Sequence, residues 1–386
     1  MNKKRVVLVK TTSLERDINR LIKEIPPLKR SGYQVTLLCW DRAGKSRPVS
    51  PPPPETRPDR EIRFKFGAPY GIRVLCFLPI WWWVAFWRLI FMKWDAVHAI
   101  DFDSAVPATL AAKLKGKPLI YEVLETYEDE IILPKFIRNL AIKIDRLFVH
   151  FATRIIVADE MQIEELGGIP DAKVIVIYDS PPDVFHESAP PPPNNDFMLF
   201  YDGAIFKARR LNVDKILTAV SRIDGVKLNI TGYGDQVSEI KALAAKQPEK
   251  IQFLGWVSYG EVLQRTLAAD LLFLLPDPVI PMNQYIGGSK LLKAMMCGRP
   301  VLANRGTLAA RRVQEINCGL VVDAGNVEEI VQAINQLKDD PALCRELGAN
   351  GRKAWKKWYS WAMMEERLLK VYKEISVDAA VNGVTR

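Results

Sequence analysis

Histidine is scarce in this chain, with three residues in 386. His98 lies in an apolar strand pattern and reads as a packed imidazole, and no serine or cysteine is placed to make a Ser-His-Asp or Cys-His centre. The five cysteines (Cys39, Cys76, Cys297, Cys318, Cys344) are odd in number, scattered, and form no CxxC pair. That argues against a thiolate zinc site and for reduced thiols in a cytosolic setting. Signal-peptide character is lacking too. "MNKKRVVLVK" passes from basic residues into an apolar run of about five, too short for such a peptide, and reads as a first strand. The net charge of +9 comes without any RNA- or DNA-binding motif. Nucleic acid is therefore disfavoured, and smaller anions, a nucleotide or a lipid headgroup, are the expected partners.

What is present is an ordinary globular composition, 48% apolar and 26% charged, over a length that suits two domains. Two proline runs punctuate it. "RPVSPPPPETRPDR" (47–60) reads as an exposed loop of the first domain, and "ESAPPPPNNDF" (187–197) marks an interdomain linker at 187–196. Residues 74–94, "VLCFLPIWWWVAFWRLIFMKW", carry five tryptophans but are broken by Pro79 and Arg88. The run falls short of the roughly 20 clean apolar residues of a spanning helix. With Arg88 and Lys93 beside the tryptophans it reads as an in-plane helix on an anionic membrane surface, a buried core helix being the alternative.

Both halves alternate short apolar runs with longer amphipathic stretches. "RVVLV", "QVTLLCW", "AVHAI", "PLIYEV", "RIIVAD" and "KVIVIY" are the strands of the first half, with helices expected over 14–31 and 104–115. "FMLFYDG", "KLNITG", "IQFLG", "LLFLLP", "RPVLAN" and "GLVVD" are those of the second. Apolar strands separated by helices predict two α/β, Rossmann-like domains with parallel sheets facing a central cleft, ligand binding at the carboxyl ends of the strands.

Those strand ends carry the chemistry. In the second half, Gly203 precedes a basic loop with Lys207, Arg209 and Arg210, "ITGYGD" holds Gly232 and Gly234, and "FLGW" holds Gly255. "NQYIGGSKLLKAMMCGRPVL" sets Gly287, Gly288, Ser289 and Lys290 in front of a helix whose first turn has unpaired N–H groups and a partial positive charge. A capped helix alone explains Ser289 and Gly298. The doubled glycine and the basic loop point to a diphosphate held by backbone amides. In the first half the strand ends are acidic: Asp101 and Asp103 in "HAIDFDSAVP", then Glu122, Glu125, Asp129 and Glu130. Carboxylates there can accept from sugar hydroxyls or act as a base. The D-x-D spacing also suits a divalent cation, but the anion site lies in the other half, so no metal is expected.

Taken together, these segments resemble the glycosyltransferases of family 4, which have the GT-B fold. The likeness runs over roughly 5–375. "TTSLERDINRLIKEIPPLKRSGYQVTLLCWDR" resembles the family's first strand, loop and helix, with Arg20 at its arginine, and "DAVHAIDFDSAVPATLAAKLKGKPLIYEVLETYED" a subgroup with an aspartate-rich motif. "FYDGAIFKARRL", "ITGYGD", "FLGWVS" and "SKLLKAMMCGRPVL" follow in family order, and "YSWAMMEERLLKVY" is similar to the closing helix. The resemblance implies a retaining, metal-independent transferase using a nucleotide sugar. Gly203 and Arg209 would approach the diphosphate, and Gly232, Gly234 and Gly255 the nucleotide. Asn283, Tyr285, Ser289 and Lys290 would line diphosphate and sugar. The chain departs from the family at four places. Lys293 stands where a glutamate meets the ribose, Ile100 replaces a histidine, Leu124-Glu125 replaces a His-Glu pair, and Arg210 replaces a glycine.

The expected organisation is an acceptor domain over 1–186, a linker over 187–196, a nucleotide-sugar domain over 197–354, a closing helix over 355–375 and a disordered tail over 376–386. The expected catalytic set is Asp101, Asp103, Glu125, Arg209 and Lys290. Donor contacts add Lys207, Gly287, Gly288 and Lys293. The reading is a hexosyltransferase at the inner face of the cell membrane, acting on a lipid-linked or cell-surface glycan. The alternative, which Lys293 supports, is a weak or inactive homologue that binds nucleotide or glycan as an assembly subunit.

Overall fold

The computed structural model describes residues 3–14, 20–41, 53–68, 71–124, 135–167, 170–185, 196–284 and 288–384. The chain divides into two units, Met1–Asp179 with Ala362–Arg386, and Ser180–Trp361. The division falls before the proline run expected as linker. Trp355 donates to Ser180 Oγ at 2.9 Å and Arg352 to Asp183 Oδ2 at 2.8 Å, which ties 180–183 into the second unit. Residues 186–195 lie outside the described residues.

The first unit holds β1 (Arg5–Lys10), β2 (Gln34–Asp41), β3 (Arg60–Lys65), β4 (Ala96–Ile100), β5 (Leu119–Val123), β6 (Arg154–Val157) and β7 (Val174–Val176). They form one parallel sheet in the order β3-β2-β1-β4-β5-β6-β7. Both faces are covered, so Leu8, Val9, Leu37, Trp40, Val97 and Ile120 are almost fully buried and their strands read as near-continuous apolar runs. β3 is not among the strands expected from the sequence, and it begins where the proline-rich loop over 47–60 ends. Its sequence "REIRFK" is polar because it is an edge strand paired only with β2, with Ile62 and Phe64 on the packed face. Helix α1 (Leu21–Arg30) keeps Pro26 and Pro27 inside it, where burial of Leu21, Ile25 and Leu28 offsets the missing N–H groups.

The tryptophan-rich stretch is a 3-10 turn, Gly71–Cys76, followed by helix α2 (Leu78–Phe91). Its tryptophans divide between two roles. Trp81 is fully buried and stacks on Trp40 at 6.0 Å, while Trp83 is 66% exposed. Helix α3 (Phe102–Lys115) packs beside α2, and helix α4 (Lys135–Phe151) packs beside α3. The Asp103 carbonyl accepts from the indoles of Trp81 and Trp82 at 3.1 and 3.0 Å. The Lys115 ammonium donates to the carbonyls of Leu89, Ile90 and Met92, closing the end of α2.

The second unit holds β8 (Phe197–Ala204), β9 (Val226–Tyr233), β10 (Ile251–Phe253), β11 (Leu271–Leu274), β12 (Val301–Asn304) and β13 (Gly319–Val322). They too are parallel, in the order β10-β9-β8-β11-β12-β13. Leu199, Leu228, Phe273 and Leu302 centre the core. The expected closing helix starts later and runs longer than 355–375. Trp355–Tyr359 is a π-helical turn of the second unit, and the helix proper is Trp361–Val384, so the stretch taken as a tail is helical as far as Val384.

That closing helix is held in the first unit by a buried polar cluster. Arg20, Glu24, His98 and Glu122 are each at most 2% exposed. Arg20 Nε donates to Glu122 Oε1 at 2.7 Å and stands 2.7 Å from Glu24 Oε1, while Nη1 donates to the carbonyls of Ile177 and Tyr178. Glu122 Oε2 is 3.3 Å from His98 Nε2, and His98 Nδ1 meets the Tyr372 hydroxyl of the closing helix at 2.7 Å. Burial alone would raise the Glu122 carboxyl, but the Arg20 charge and the His98 contact hold it well below the usual carboxylate range. Burial and the charge of Glu122 push Glu24 the other way, well above it. The two carboxyls beside Arg20 are thus pushed in opposite directions.

Replacing Arg20 by Met should destabilise the fold by about 3–5 kcal/mol at neutral pH, the cost of a buried charge left unpaired. Wild-type stability gained from Glu122 is present above the unfolded carboxyl pKa and is lost as pH falls. The deficit of the variant should therefore shrink on acidification. Urea unfolding followed at several pH values checks this; a pH-independent deficit would contradict the charge assignment.

Candidate active site

In an open parallel sheet the crevice for a ligand lies where the strand order reverses, which in the second unit is between β8 and β11. The loops leaving these two strands are joined to each other. Asn283, fully buried, donates from Nδ2 to the carbonyls of Arg209 at 2.6 Å and Asp277 at 2.9 Å. Asn212 donates to the Leu275 carbonyl at 2.8 Å, and Arg210 pairs with Asp277 at 2.8 Å. Lys207 and Arg209 lie in one short 3-10 turn, followed by Arg210 and Asn212 in the left-handed region (φ 45° and 54°). Helix α5 (Gly288–Met296) follows the other loop and presents its first turn, with Ser289 exposed and Lys290 half-buried. Lys290 Nζ is 3.3 Å from the Tyr201 hydroxyl and lies over that ring at 4.5 Å.

The glycines at these strand ends are needed by the chain itself. A Cβ on Gly232 would come within 2.0 Å of the Gly203 carbonyl oxygen, and one on Gly203 within 2.8 Å of the Lys290 side chain. Close strand approach thus explains Gly232, and Gly203 makes room for Lys290. Gly234 is likewise crowded by the Ile205 carbonyl, whereas Gly255 has φ 76° in a turn with open space beside it. Near Gly255 the exposed rings of Tyr233 and Trp256 stand 5.6 Å apart, an aromatic surface of the kind on which a planar base stacks.

Lys293 departs from its expected role as a donor contact. It is 5% exposed, and its ammonium forms an ion pair at 2.5 Å with Asp202, on β8 directly before Gly203. Asp202 went unremarked in the sequence. The signal was there, in an isolated acid within "FMLFYDG" and an isolated base within "LLKAMM". With Asp202 paired to Lys293 and Asp277 to Arg210, and Asp235 accepting from the Lys207 amide at 2.8 Å, the acids around the basic loop are all engaged. The balance left there is cationic.

In the first unit, Asp101 ends β4 with φ 61° and ψ 164°, a conformation that strains any residue with a side chain. The surroundings fix it: its N–H donates to the Glu122 carbonyl at 2.8 Å, and Oδ1 accepts from the Leu124 N–H at 3.0 Å. Asp103, in the first turn of α3, is 3% exposed. Glu122 belongs to the Arg20 cluster and is fully buried, not presented to a ligand as expected. Among the described residues the one three-residue group with metal-ligating side chains is Glu24, His98 and Glu122, and there Arg20 already supplies the cation. Glu125, Asp129, Glu130, Tyr285 and Gly287 lie outside the described residues.

Two family models match the chain, one described as "Glycosyl transferase 4-like domain" over residues 15–179 and one as "Glycosyl transferases group 1" over 186–354. The chain is similar to an uncharacterized glycosyltransferase of Methanocaldococcus jannaschii, 27% identical over 290 residues, 73% of this chain and 77% of the relative. It is also similar to a GDP-mannose-dependent monoacylated alpha-(1-6)-phosphatidylinositol monomannoside mannosyltransferase of Corynebacterium glutamicum, 29% identical over 168 residues. That match covers 42% of this chain and 44% of the relative, less than half the length of either. Among solved structures, sucrose-phosphate synthase from Thermosynechococcus elongatus superposes with a TM-score of 0.71 at 14% identity, covering 97% of this chain and 100% of that one. HepE of Anabaena, solved with UDP and glucose, gives 0.68 at 14% identity, covering 96% and 100%. These likenesses show the GT-B fold.

The Lys293–Asp202 pair makes its own prediction. Lys293→Glu sets two mostly buried carboxylates against each other and should lower stability by about 3–5 kcal/mol, whereas adding Asp202→Lys should recover much of the loss. Denaturant unfolding of the two single variants and the double variant measures the coupling; independent, additive losses would refute it.

Proposed function

The chain belongs to the family 4 glycosyltransferases of GT-B fold, and from that premise we propose that it transfers a hexose from a nucleotide sugar to a lipid-linked or cell-surface glycan at the inner face of the cell membrane, with retention of configuration and without a metal. The observation that carries the donor half is the junction of the β8 and β11 loops. There Asn283 holds the Arg209 backbone against the β11 loop, and Lys290 lies in the first turn of α5, with Asp277 and Asp202 already engaged nearby. Preorganised donors of this kind stabilise the charge that develops on a departing diphosphate. Departure on the front face, with the acceptor hydroxyl entering on that side, yields retention. Tyr233 and Trp256 offer the base a stacking surface. In the first unit, Asp101 offers a carboxylate to sugar hydroxyls, held in a fixed, strained pose.

The acceptor half is supported by the relative named as a phosphatidylinositol monomannoside mannosyltransferase. No described helix is long and apolar enough to cross a membrane, and peripheral attachment is the form of membrane association that agrees with this. The second reading, a nucleotide-binding subunit without activity, drew on Lys293 as a lesion. Its ion pair with Asp202 supports instead an adapted site in which Lys293 has a partner of its own.

Titration calorimetry with UDP and GDP should show binding by the parent chain. Arg209→Ala should weaken it roughly tenfold to a hundredfold, the worth of a charge-assisted hydrogen bond to phosphate. Gly288→Val should weaken it further by obstructing the amides of α5. Absence of binding for either nucleotide would defeat the donor-site reading.

Transfer from a radiolabelled nucleotide sugar to membrane lipid extract should persist in excess EDTA. Activity lost to EDTA and restored by Mn²⁺ or Mg²⁺ would replace the metal-free reading with one in which Asp101 binds the ion.

A further inference from the structure

The membrane reading rested on one helix, yet the apolar surface of the first unit is wider than α2. Trp83, Trp87 and Phe91 form an outward stripe on α2, 66%, 38% and 80% exposed. Leu110 and Leu114 stand outward on α3, and Leu147 on α4, each about half exposed or more. A helix that is apolar on its solvent face as well as its buried face is unusual in water, and three neighbours sharing the habit make a patch that water does not explain. The patch is rigid. Lys115 fastens α3 to the end of α2, the Asp103 carbonyl fastens α2 back to α3, and Lys113 of α3 lies over the Phe151 ring of α4 at 3.0 Å.

Charge selects the partner. Helix α2 has no acid, and the acids of α3 and α4, Asp103 and Asp145, are 3% and 5% exposed. Cations remain outward: Arg88, Lys93 and Lys143 are exposed and make no ion pair among the described residues. Where the tryptophan stripe meets the amino ends of β2 and β3 there is a groove of about 730 Å³, whose lining includes Trp83, Trp87 and Phe91 together with Arg60, Arg88 and Lys93. Aromatic rings beside unpaired cations match the boundary between acyl chains and phosphate headgroups.

We infer that the joint outward face of α2, α3 and α4 docks flat on an anionic bilayer, the groove beside Arg60, Arg88 and Lys93 receiving a lipid phosphate. This deepens the membrane half of the proposed function and rests on it. Nucleotide binding without lipid tests the donor half separately.

The experiment is co-flotation of the full chain with vesicles of phosphatidylcholine, alone or mixed with phosphatidylglycerol. Binding should require the anionic lipid and weaken with salt. Arg88→Gln, Lys93→Gln and Lys143→Gln should each cost about fivefold. Leu114→Ser and Leu147→Ser, off the tryptophan helix, should also weaken binding, with nucleotide affinity and melting unchanged. Brominated lipid should quench tryptophan fluorescence of the parent protein, an observation that needs no variant. Equal flotation on neutral vesicles would overturn the proposal. Silence of Leu114→Ser and Leu147→Ser would overturn the three-helix face in favour of a single-helix anchor. A dimer seen by light scattering and dissolved by the same changes would make the patch a contact between copies.

Discussion

A guanidinium with no access to water must be answered where it stands, and Arg20 is such a group. Its partners come from the first helix, a central strand and the backbone at the end of the first run of chain, and through Glu122 and His98 of the adjacent strand the network reaches Tyr372, more than 270 residues from His98. No apolar contact would hold these segments in one register, because apolar side chains slide and repack at small cost, whereas a buried charge pair tolerates one geometry. Glu24 stands 2.7 Å from the same guanidinium, but burial and Glu122 push it well above the usual carboxylate range, so the two acids of the cluster answer Arg20 unequally.

Parallel sheets impose the second constraint. Each strand is buried on both faces, so a polar side chain in its middle needs a partner of its own, and polar groups otherwise emerge at the strand ends. Asp202 of β8, paired with Lys293 of α5, obeys the first clause, and Asp101, Lys207 and Arg209 the second. The left-handed turns at Arg210 and Asn212 show how much the β8 loop is bent to stay beside the β11 loop. Asn283 is the cross-member. Buried and donating to both loops, it sets where the Arg209 backbone lies, so its expected place on the ligand side is better understood as a residue that positions one.

These rules decide what could be read before the fold was known. The twelve apolar runs became strands because buried parallel strands leave little else for them to be. β3 escaped because an edge strand may alternate, and "REIRFK" does. The glycines were legible as strand-end glycines, but not the reason for them. At Gly203 and Gly232 the neighbour is the chain itself. Glu122 looked like a ligand carboxylate because it stands near the carboxyl end of the apolar run that became β5. Its burial with Arg20 depends on a contact between residues 102 apart in sequence. Lys293 looked like damage only while Asp202 was unseen.

The tryptophan helix shows why such patterns mislead. A continuous apolar stretch carries no phase, so nothing in "LPIWWWVAFWRLIF" tells which side is inward. The phase comes from elsewhere: Trp40 on β2 offers a ring against which Trp81 stacks, and the Asp103 carbonyl accepts both inner indoles. Once Trp81, Ala85 and Leu89 face the sheet, helical geometry turns Trp83, Trp87 and Phe91 outward. Core packing alone would have been served by polar residues at those three positions. Their aromatic character, beside helices whose acids are buried, is what the proposed docking on an anionic surface rests on.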